Sequence, residues 1–328
     1  MIEQVADVRL AAREKIVQLA ESNKKIYCID SDVGGLDTIF ATRHYDRYVD
    51  VGIAEAALIS VSAGIAHAGG IPFANSFSAF AAGRAFEQLK VDVCYPNLGV
   101  KIIASHSGLS AGHLGPTHHA TEDIGILRCL PNMTIFVPAD ARDAAQLVEK
   151  GLSTSGPVFI RIGRRPTPQF SWTGNGGDPM NGRVLLPGDD VALICAGPHP
   201  TRIALQARSA LARYGLYARV INFACLKPFD HQSVIAAASQ TNGIVTIEDH
   251  NVIGGLGSLV AEAVTEARPC PVRRIGIADK FVETVGNEEE LLEMNGVNVS
   301  TVVTAAKLIC SKNRQVETYD RHMDKVKC

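Results

Sequence analysis

Short apolar runs alternate with longer stretches of helical period along most of this chain. Val8 to Glu21 sets Leu10, Ile16 and Leu19 on a helical repeat, which predicts a helix. Lys25 to Ile29 follows as a short β-rich run. Tyr48 to Gly52 is another, and it leads into an apolar helix that begins at Glu55. Val100 to Ser105, Met133 to Pro138 and Pro157 to Ile162 continue the series. Apolar strands that alternate with helices predict a parallel sheet covered on both faces. Between Arg164 and Gly182 the alternation stops. Pro166, Pro168, Pro179 and several glycines surround Trp172 there, and the segment reads as a linker. Strand-like runs resume at Val191 to Ala196, Ala218 to Phe223, Gly243 to Glu248 and Val272 to Ile277. From Asn313 onward the chain is charged and aperiodic, so a frayed tail is expected. The expected fold is α/β, with two doubly wound α/β domains at 1–165 and 183–312, a linker at 166–182 and a tail at 313–328.

Composition narrows the function classes. At 328 residues the chain is long enough for two α/β cores. Apolar residues make up 46% and charged residues 20%, the balance of a soluble globular protein. A net charge of −2 argues against nucleic acid or an anionic membrane as the partner. The cysteines form no CxxC pair, which argues against a zinc site. Several, such as Cys28 and Cys195, sit in strand-like runs and read as buried thiols in a reducing compartment. The apolar stretch Ile53 to Ala68 is closed by Gly69-Gly70 and Pro72, short of the roughly 20 residues that a membrane span needs. Met1 to Leu10 is mixed and charged, without the look of a signal peptide, and a cytoplasmic location is expected.

Three clusters carry the chemistry. Glu55 follows a strand and Gly52 at the start of an apolar helix, the kind of strand end where α/β sheets place ligands. Its neighbours Ile53, Ala54, Ala56, Ala57 and Leu58 would desolvate the carboxyl and raise its pKa. Such a group could share a proton with a heterocyclic nitrogen. The alternative is a capping carboxylate at a helix N-terminus. Phe77 and Phe80 lie three apart, so a helix or tight turn would set them on one face to stack on a flat ring. Core packing is the competing role for that pair. The crowd of small residues around them, Ser76, Ser78, Ala79 and Ala81 to Gly83, permits close backbone approach to something flat. The third cluster is a glycine-rich loop carrying His106, His113, His118 and His119 after the Val100 strand. Imidazoles there suit proton exchange near neutrality. Metal binding competes, but no spacing such as H-E-x-x-H is present.

Together these clusters resemble the pyrimidine-binding domain of the transketolase family. Gly52-Ile53-Ala54-Glu55 is similar to its glutamate motif, Phe77 and Phe80 to its aromatic platform, and Gly115-Pro116-Thr117-His118 to its most characteristic tetrapeptide. Glu248-Asp249-His250 with Ile253-Gly254-Gly255-Leu256-Gly257 resembles the family's C-terminal domain. The likeness runs from about Val8 to Ile309. It implies a thiamine-diphosphate pyrimidine-binding domain followed by a transketolase C-terminal-like domain. It also implies that Glu55 binds the pyrimidine and promotes its imino tautomer, so that the cofactor attacks a ketose carbonyl. With Glu55, His118 and His106 are then catalytic, His118 as the histidine that exchanges protons with substrate hydroxyls and His106 as another that contacts the donor. Ile53, Asp32, Phe77 and Phe80 border the cofactor, and Arg9 and Arg161 bind a sugar phosphate.

The departures from the family pattern matter equally. No Gly-Asp-Gly occurs, so the resemblance implies that the diphosphate and its Mg2+ (or Ca2+ or Mn2+) are held by another chain, and no metal ligand is assigned here. That implies an obligate hetero-oligomer, two of each subunit, with an N-terminal diphosphate-binding transketolase subunit. Leu114 stands where an acidic, hydroxyl-reading residue is common, so donor and acceptor choice are open. Leu36 replaces a phosphate-binding serine, Gly83 a third aromatic and His119 a glutamine. The expected activity is transfer of a two-carbon ketol unit from a ketose phosphate to an aldose or related acceptor. The β subunit of a 2-oxo acid dehydrogenase decarboxylase, which pairs with a lipoyl partner, and a non-catalytic scaffold are the alternatives.

Overall fold

The computed structural model describes residues 5–170 and 177–311. In chain order its strands are β1 (Val5–Asp7), β2 (Ile26–Asp30), β3 (Tyr48–Asp50), β4 (Ile71–Phe77), β5 (Lys101–Ser105), β6 (Thr134–Phe136) and β7 (Val158–Arg161). They continue as β8 (Pro166–Pro168), β9 (Arg183–Leu186), β10 (Val191–Cys195), β11 (Ala218–Asn222), β12 (Cys225–Lys227), β13 (Ile244–Asn251) and β14 (Val272–Ile277). Seven form one sheet in the order β12-β6-β7-β5-β4-β2-β3, and five form another in the order β14-β13-β10-β11-β9. Neighbours run parallel except β12 and β9, each antiparallel at the edge of its sheet. The fold is α/β, with helices packed on both faces of the larger sheet. One core lies under the helix Val8–Ser22 and the helix Ala141–Ser153. Another lies under the helix Glu55–His67 and continues into the smaller sheet. Strands β5 and β10 are buried along their whole length; β10 is apolar throughout, whereas β5 buries Lys101 by setting its Nζ on the carbonyls of Thr154 and Gly156 at 2.7 and 2.8 Å.

The structure differs from the sequence pattern at definite places. The helix Val8–Ser22 buries Val8, Ala12, Ile16, Val17 and Ala20, while Leu10 is exposed. Asp7 caps it by accepting from the backbone of Arg9 and Leu10, which contributes about 1 kcal/mol. Strand β4 was hidden by its small and polar residues Ala74, Asn75 and Ser76, which are buried between two neighbouring strands. The first part of the expected linker is not free. Pro166–Pro168 pairs with Val5–Asp7, and Phe170 donates its backbone N–H to buried Asp140 at 2.9 Å. Trp172 and the tail from Asn313 lie outside the described residues. Strand β12, from the second half of the sequence, pairs with β6 of the first sheet. The two halves therefore share core as well as surface. Among the described residues no helix is long and apolar enough to cross a membrane.

Salt bridges buried between the halves lock them together. Arg183, at the start of the smaller sheet, binds Asp143 through two nitrogens at 2.8 and 2.7 Å. Arg161, at the end of β7, binds Asp249 at the end of β13 at 2.7 Å. His250 beside it accepts from the Gly125 backbone at 3.1 Å and meets its own neighbour's carbonyl, Asn251 O, at 2.7 Å. Burial lowers its pKa, so the ring stays neutral, donating from Nδ1 and accepting at Nε2.

Candidate functional site

Neighbouring strands of the larger sheet end side by side, and each delivers one functional group. β3 leads to Glu55, β2 to Asp32, β4 ends on Phe77, β5 leads to His106 and β7 to Arg164. Carboxyl ends of parallel strands form such a crevice because the connecting loops diverge there.

At one end of the crevice Glu55 opens the helix Glu55–His67 with its side chain buried. The apolar surroundings expected for it are interrupted by Arg84, whose Nη1 donates to Oε2 at 2.6 Å. The same guanidinium lies 4.4 Å from the centre of the Phe80 ring. A flat, hydrogen-bond-donating group therefore already fits between Phe80 and Glu55. The aminopyrimidine of a thiamine cofactor has the same two properties, so the donor set suits that ring. Phe77 ends β4 and Phe80 sits in the following helix Ser78–Gly83, yet their rings stack at 5.9 Å with an interplanar angle of 12°. His106 stacks on the Phe77 ring at 3.8 Å. His118 meets Phe80 edge-on at 5.1 Å, and Thr117 Oγ1 lies 2.9 Å from its Nδ1. Glu55, Phe77, Phe80, His106 and His118, separated in sequence, thus form one connected group. Among the described residues no three His, Cys, Asp or Glu side chains are grouped so as to hold a metal ion.

His106 is held in the left-handed region at φ 59°, as is Asp32 at φ 57°. Backbone of this kind in non-glycine residues clusters at functional sites. Burial, and after it the charges of Arg9, Arg164, His113 and Arg13, push the His106 imidazole down to about 3. The ring is neutral in the native chain at physiological pH, whereas unfolded it titrates near 6.5. Acidification from about pH 7 to about pH 5 therefore protonates this ring only in the unfolded chain, and native stability falls. His106→Gln is expected to make that fall shallower. Thermal midpoints of both chains at the two pH values check this, and equal slopes would contradict a neutral buried ring.

Beyond His106 the crevice becomes basic. Arg9 and Arg13, one turn apart on the first helix, are half-buried and face the end of β2. The Nε of each, and Nη2 of Arg13, are buried without a hydrogen-bond partner. Arg164 Nη1 reaches His113 Nδ1 at 3.5 Å. Burial lowers the Arg9 pKa, and repulsion from Arg13 and Arg164 works in the same direction against the pull of Asp7. Orphaned guanidinium donors of this kind fit an anion that brings its own oxygens.

Arg161 departs from its expected role. It is neither a surface charge nor turned into the crevice. Its Nε donates to Asp123 at 2.8 Å, Nη1 to Asp249 at 2.7 Å and Nη2 to the carbonyls of Ala120 and Asp249. Burial pulls the guanidinium down, but the two carboxylates more than offset this and hold it above its ordinary value. Arg164, three residues later, is the arginine that remains partly exposed beside His113. Arg13, Arg84 and Arg164 are not evident from the sequence pattern. The available signal was the paired spacing of Arg9 and Arg13 on one helix and the doublet after β7. Ile53, 73% exposed, and Leu114, 40% exposed, lie at the rim, and Asp32 occupies an exposed turn after β2. The turn Gly112–Leu114 sits on residues 285–291. A Cβ at Gly112 would come within 2.6 Å of the Gly286 carbonyl oxygen.

Comparison with known proteins is consistent across sequence and structure. The family model for the transketolase pyrimidine-binding domain matches residues 4–169, and that for the transketolase C-terminal domain matches residues 181–302. The 6-deoxy-6-sulfo-D-fructose transketolase subunit SqwH of Clostridium sp. (strain MSTE9) is 36% identical over 293 residues, covering 89% of this chain and 90% of that protein. An apulose-4-phosphate transketolase subunit of Phocaeicola vulgatus is 35% identical over 302 residues, covering 91% of this chain and 96% of that protein. A solved split-gene transketolase, described as an inactive β4 tetramer, superposes with a TM-score of 0.83 at 40% identity, covering 93% of this chain and 98% of that one.

Proposed function

The chain belongs to the transketolase family, and on that premise we propose that it is the C-terminal subunit of a split transketolase, active only with a separate N-terminal subunit. The reaction is transfer of a two-carbon ketol unit from a ketose (phosphate) donor to an aldose or related acceptor. The observation that carries this reading is the convergence of Glu55, Phe77, Phe80, His106 and His118 in one crevice. Residues 1–165 are assigned to the pyrimidine-binding domain and 183–312 to the C-terminal domain, in a cytoplasmic complex of two subunits of each kind.

Thiamine diphosphate, when bound, supplies the electron sink for breaking and making the carbon–carbon bond. Glu55 holds a ring nitrogen of the pyrimidine by hydrogen bond, taking the place in which it now pairs with Arg84. Phe77 and Phe80 hold the ring by stacking. Ile53 and Asp32 border it. The diphosphate and its Mg2+ (or Ca2+ or Mn2+) fall to the partner subunit. His106, kept neutral, accepts or donates a single hydrogen bond to a donor hydroxyl, and His118 exchanges protons with substrate hydroxyls. Leu114 presents an apolar edge to the substrate, so it does not read a hydroxyl by hydrogen bonding. Arg9, Arg13 and Arg164 grip the anionic end of the sugar, a phosphate or a sulfonate.

Two assays test this reading. Turnover of a ketose phosphate with thiamine diphosphate and magnesium is expected from the two subunits mixed and from neither alone. Turnover of a 2-oxo acid with a lipoyl acceptor in place of the ketose would move the assignment to the decarboxylase class. Within the mixed enzyme, Arg164→Ala is expected to raise KM for a phosphorylated donor about tenfold to a hundredfold, the worth of a hydrogen bond to a charged group. The turnover of an uncharged ketose should stay as it was. An equal loss with both donors would place Arg164 outside the anion site.

A further inference from the structure

The Glu248-Asp249-His250 segment lies in the half of the chain that carries none of the groups assigned above, yet it reaches into the crevice wall. Glu248 anchors its own half, accepting from the backbone of Leu256 and Gly257 at 2.6 and 2.9 Å. Asp249 faces the other way. Its Oδ1 takes Arg161 Nη1 at 2.7 Å. Its Oδ2 lies against Gly108, where a Cβ would come within 2.1 Å of it and where φ is +56°. Only glycine satisfies both demands at Gly108. Arg161 carries the contact onward in two directions. Nε reaches Asp123 Oδ2 at 2.8 Å, and that same oxygen accepts from Ser78 Oγ at 2.5 Å. Ser78 opens the short helix that holds Phe80 and directly follows Phe77. Nη2 reaches the carbonyl of Ala120 at 3.2 Å. Ala120 and Gly108 form a bridge that closes the base of the loop bearing His113 and His118. Ser78, Asp123, Arg161 and Asp249 are all buried.

We propose that Asp249 is a positioning residue for the aromatic pair and the histidine loop, acting through Arg161, Asp123 and Ser78. The inference rests on reading Phe77 and Phe80 as the cofactor's platform. It gives the C-terminal half a part in cofactor binding. A continuous chain of buried, charge-assisted hydrogen bonds fixes the groups at its far end, because Asp123 Oδ2 is shared by Arg161 and Ser78, and the Ala120 carbonyl by Arg161 and the Gly108 backbone. Arg161 cannot turn toward Asp123 and Ala120 alone without leaving the Asp249 carboxylate buried and unpaired.

The test uses Asp249→Asn, which keeps the shape and removes the charge, and Ser78→Ala, which breaks the last link and leaves the contact between the halves in place. Hydrogen exchange on the full chain alone is the first measurement. Asp249→Asn is expected to speed exchange several-fold in residues 76–83 and 106–120, while β14 is unaltered. Acceleration confined to 249–258 and 120–128 would reduce Asp249 to an adhesive between the halves and overturn the proposal. The second measurement is the thiamine diphosphate concentration that half-saturates the complex with the N-terminal subunit, with magnesium present. Each variant is expected to raise it about tenfold, since Asp249→Asn turns a charge-assisted hydrogen bond into an ordinary one and Ser78→Ala removes a hydrogen bond to a carboxylate. The double variant should raise it no further, since both act on one chain of contacts. Values equal to the parent chain's, or single effects that multiply, would overturn the relay. A parent complex with no dependence on thiamine diphosphate would instead refute the functional assignment, and the exchange result would still decide whether the relay exists.

Discussion

Glu55→Gln is expected to lower turnover of the reconstituted enzyme by about 10²- to 10⁴-fold, the range that a positioned proton-transfer group contributes. The side chain is buried and sits one hydrogen bond from the place where a planar donor fits over Phe80. Glutamine keeps the volume and one acceptor oxygen but cannot take or share a proton. Stability should change little, because Arg84 is half-exposed and recovers water when its partner becomes neutral. The measurement is kcat with thiamine diphosphate and magnesium, alongside a thermal midpoint to show that the fold is retained. Turnover within a factor of about three of the parent enzyme would remove Glu55 from the chemistry, since general acid–base catalysts are worth far more than that. Arg84→Gln is the useful companion. It releases Glu55 and clears the Phe80 face, so a loss as deep as that of the Glu55 variant would mean that the pair acts as a unit.

Arg161→Met is expected to give the largest loss of stability. It leaves Asp123 and Asp249 buried with their charges uncompensated. Breaking a buried ion pair costs about 3–5 kcal/mol. A domain's whole stability is about 5–15 kcal/mol, so the variant should unfold at far lower urea concentration or accumulate as insoluble chain. The cost comes from the stranded carboxylates, not from the value of the pair itself, which burial of the guanidinium erodes. Adding Asp123→Asn and Asp249→Asn to Arg161→Met should therefore recover much of the loss. Urea midpoints for the parent, the single and the triple variant check this. A triple variant less stable than the single one would mean that the charges stabilise the halves by some other route.

Much of the fold was legible in the sequence because its determinants are local. Continuous apolar runs such as Val191 to Ala196 have no polar face to turn to water, so they had to become strands covered on both sides. The helix starting at Val8 was legible from its period, although Leu10, which shares the apolar character, faces solvent. Strand β4 was not legible. Its residues Ala74, Asn75 and Ser76 are small or polar, and they are buried because strands on both sides bring partners, among them Asp30, which takes the Asn75 side-chain amide at 3.2 Å. The departure of β12 to the edge of the first sheet was equally hidden, since nothing in Cys225–Lys227 names its neighbour.

The candidate site divides along the same line. Residue type and order determined the carboxylate at a strand end, the aromatic pair and the histidine loop, because each is a short segment whose chemistry survives being read alone. Only the tertiary structure decided which arginine faces the crevice. Arg161 and Arg164 are three residues apart at the end of one strand, and their sequence contexts do not separate them. Arg161 turns inward because Asp123 and Asp249 converge on it from 38 and 88 residues away, while Arg164 meets His113 near the mouth. A guanidinium's role is set by where its counter-charges lie in space, and that distance is not written in the order of the residues.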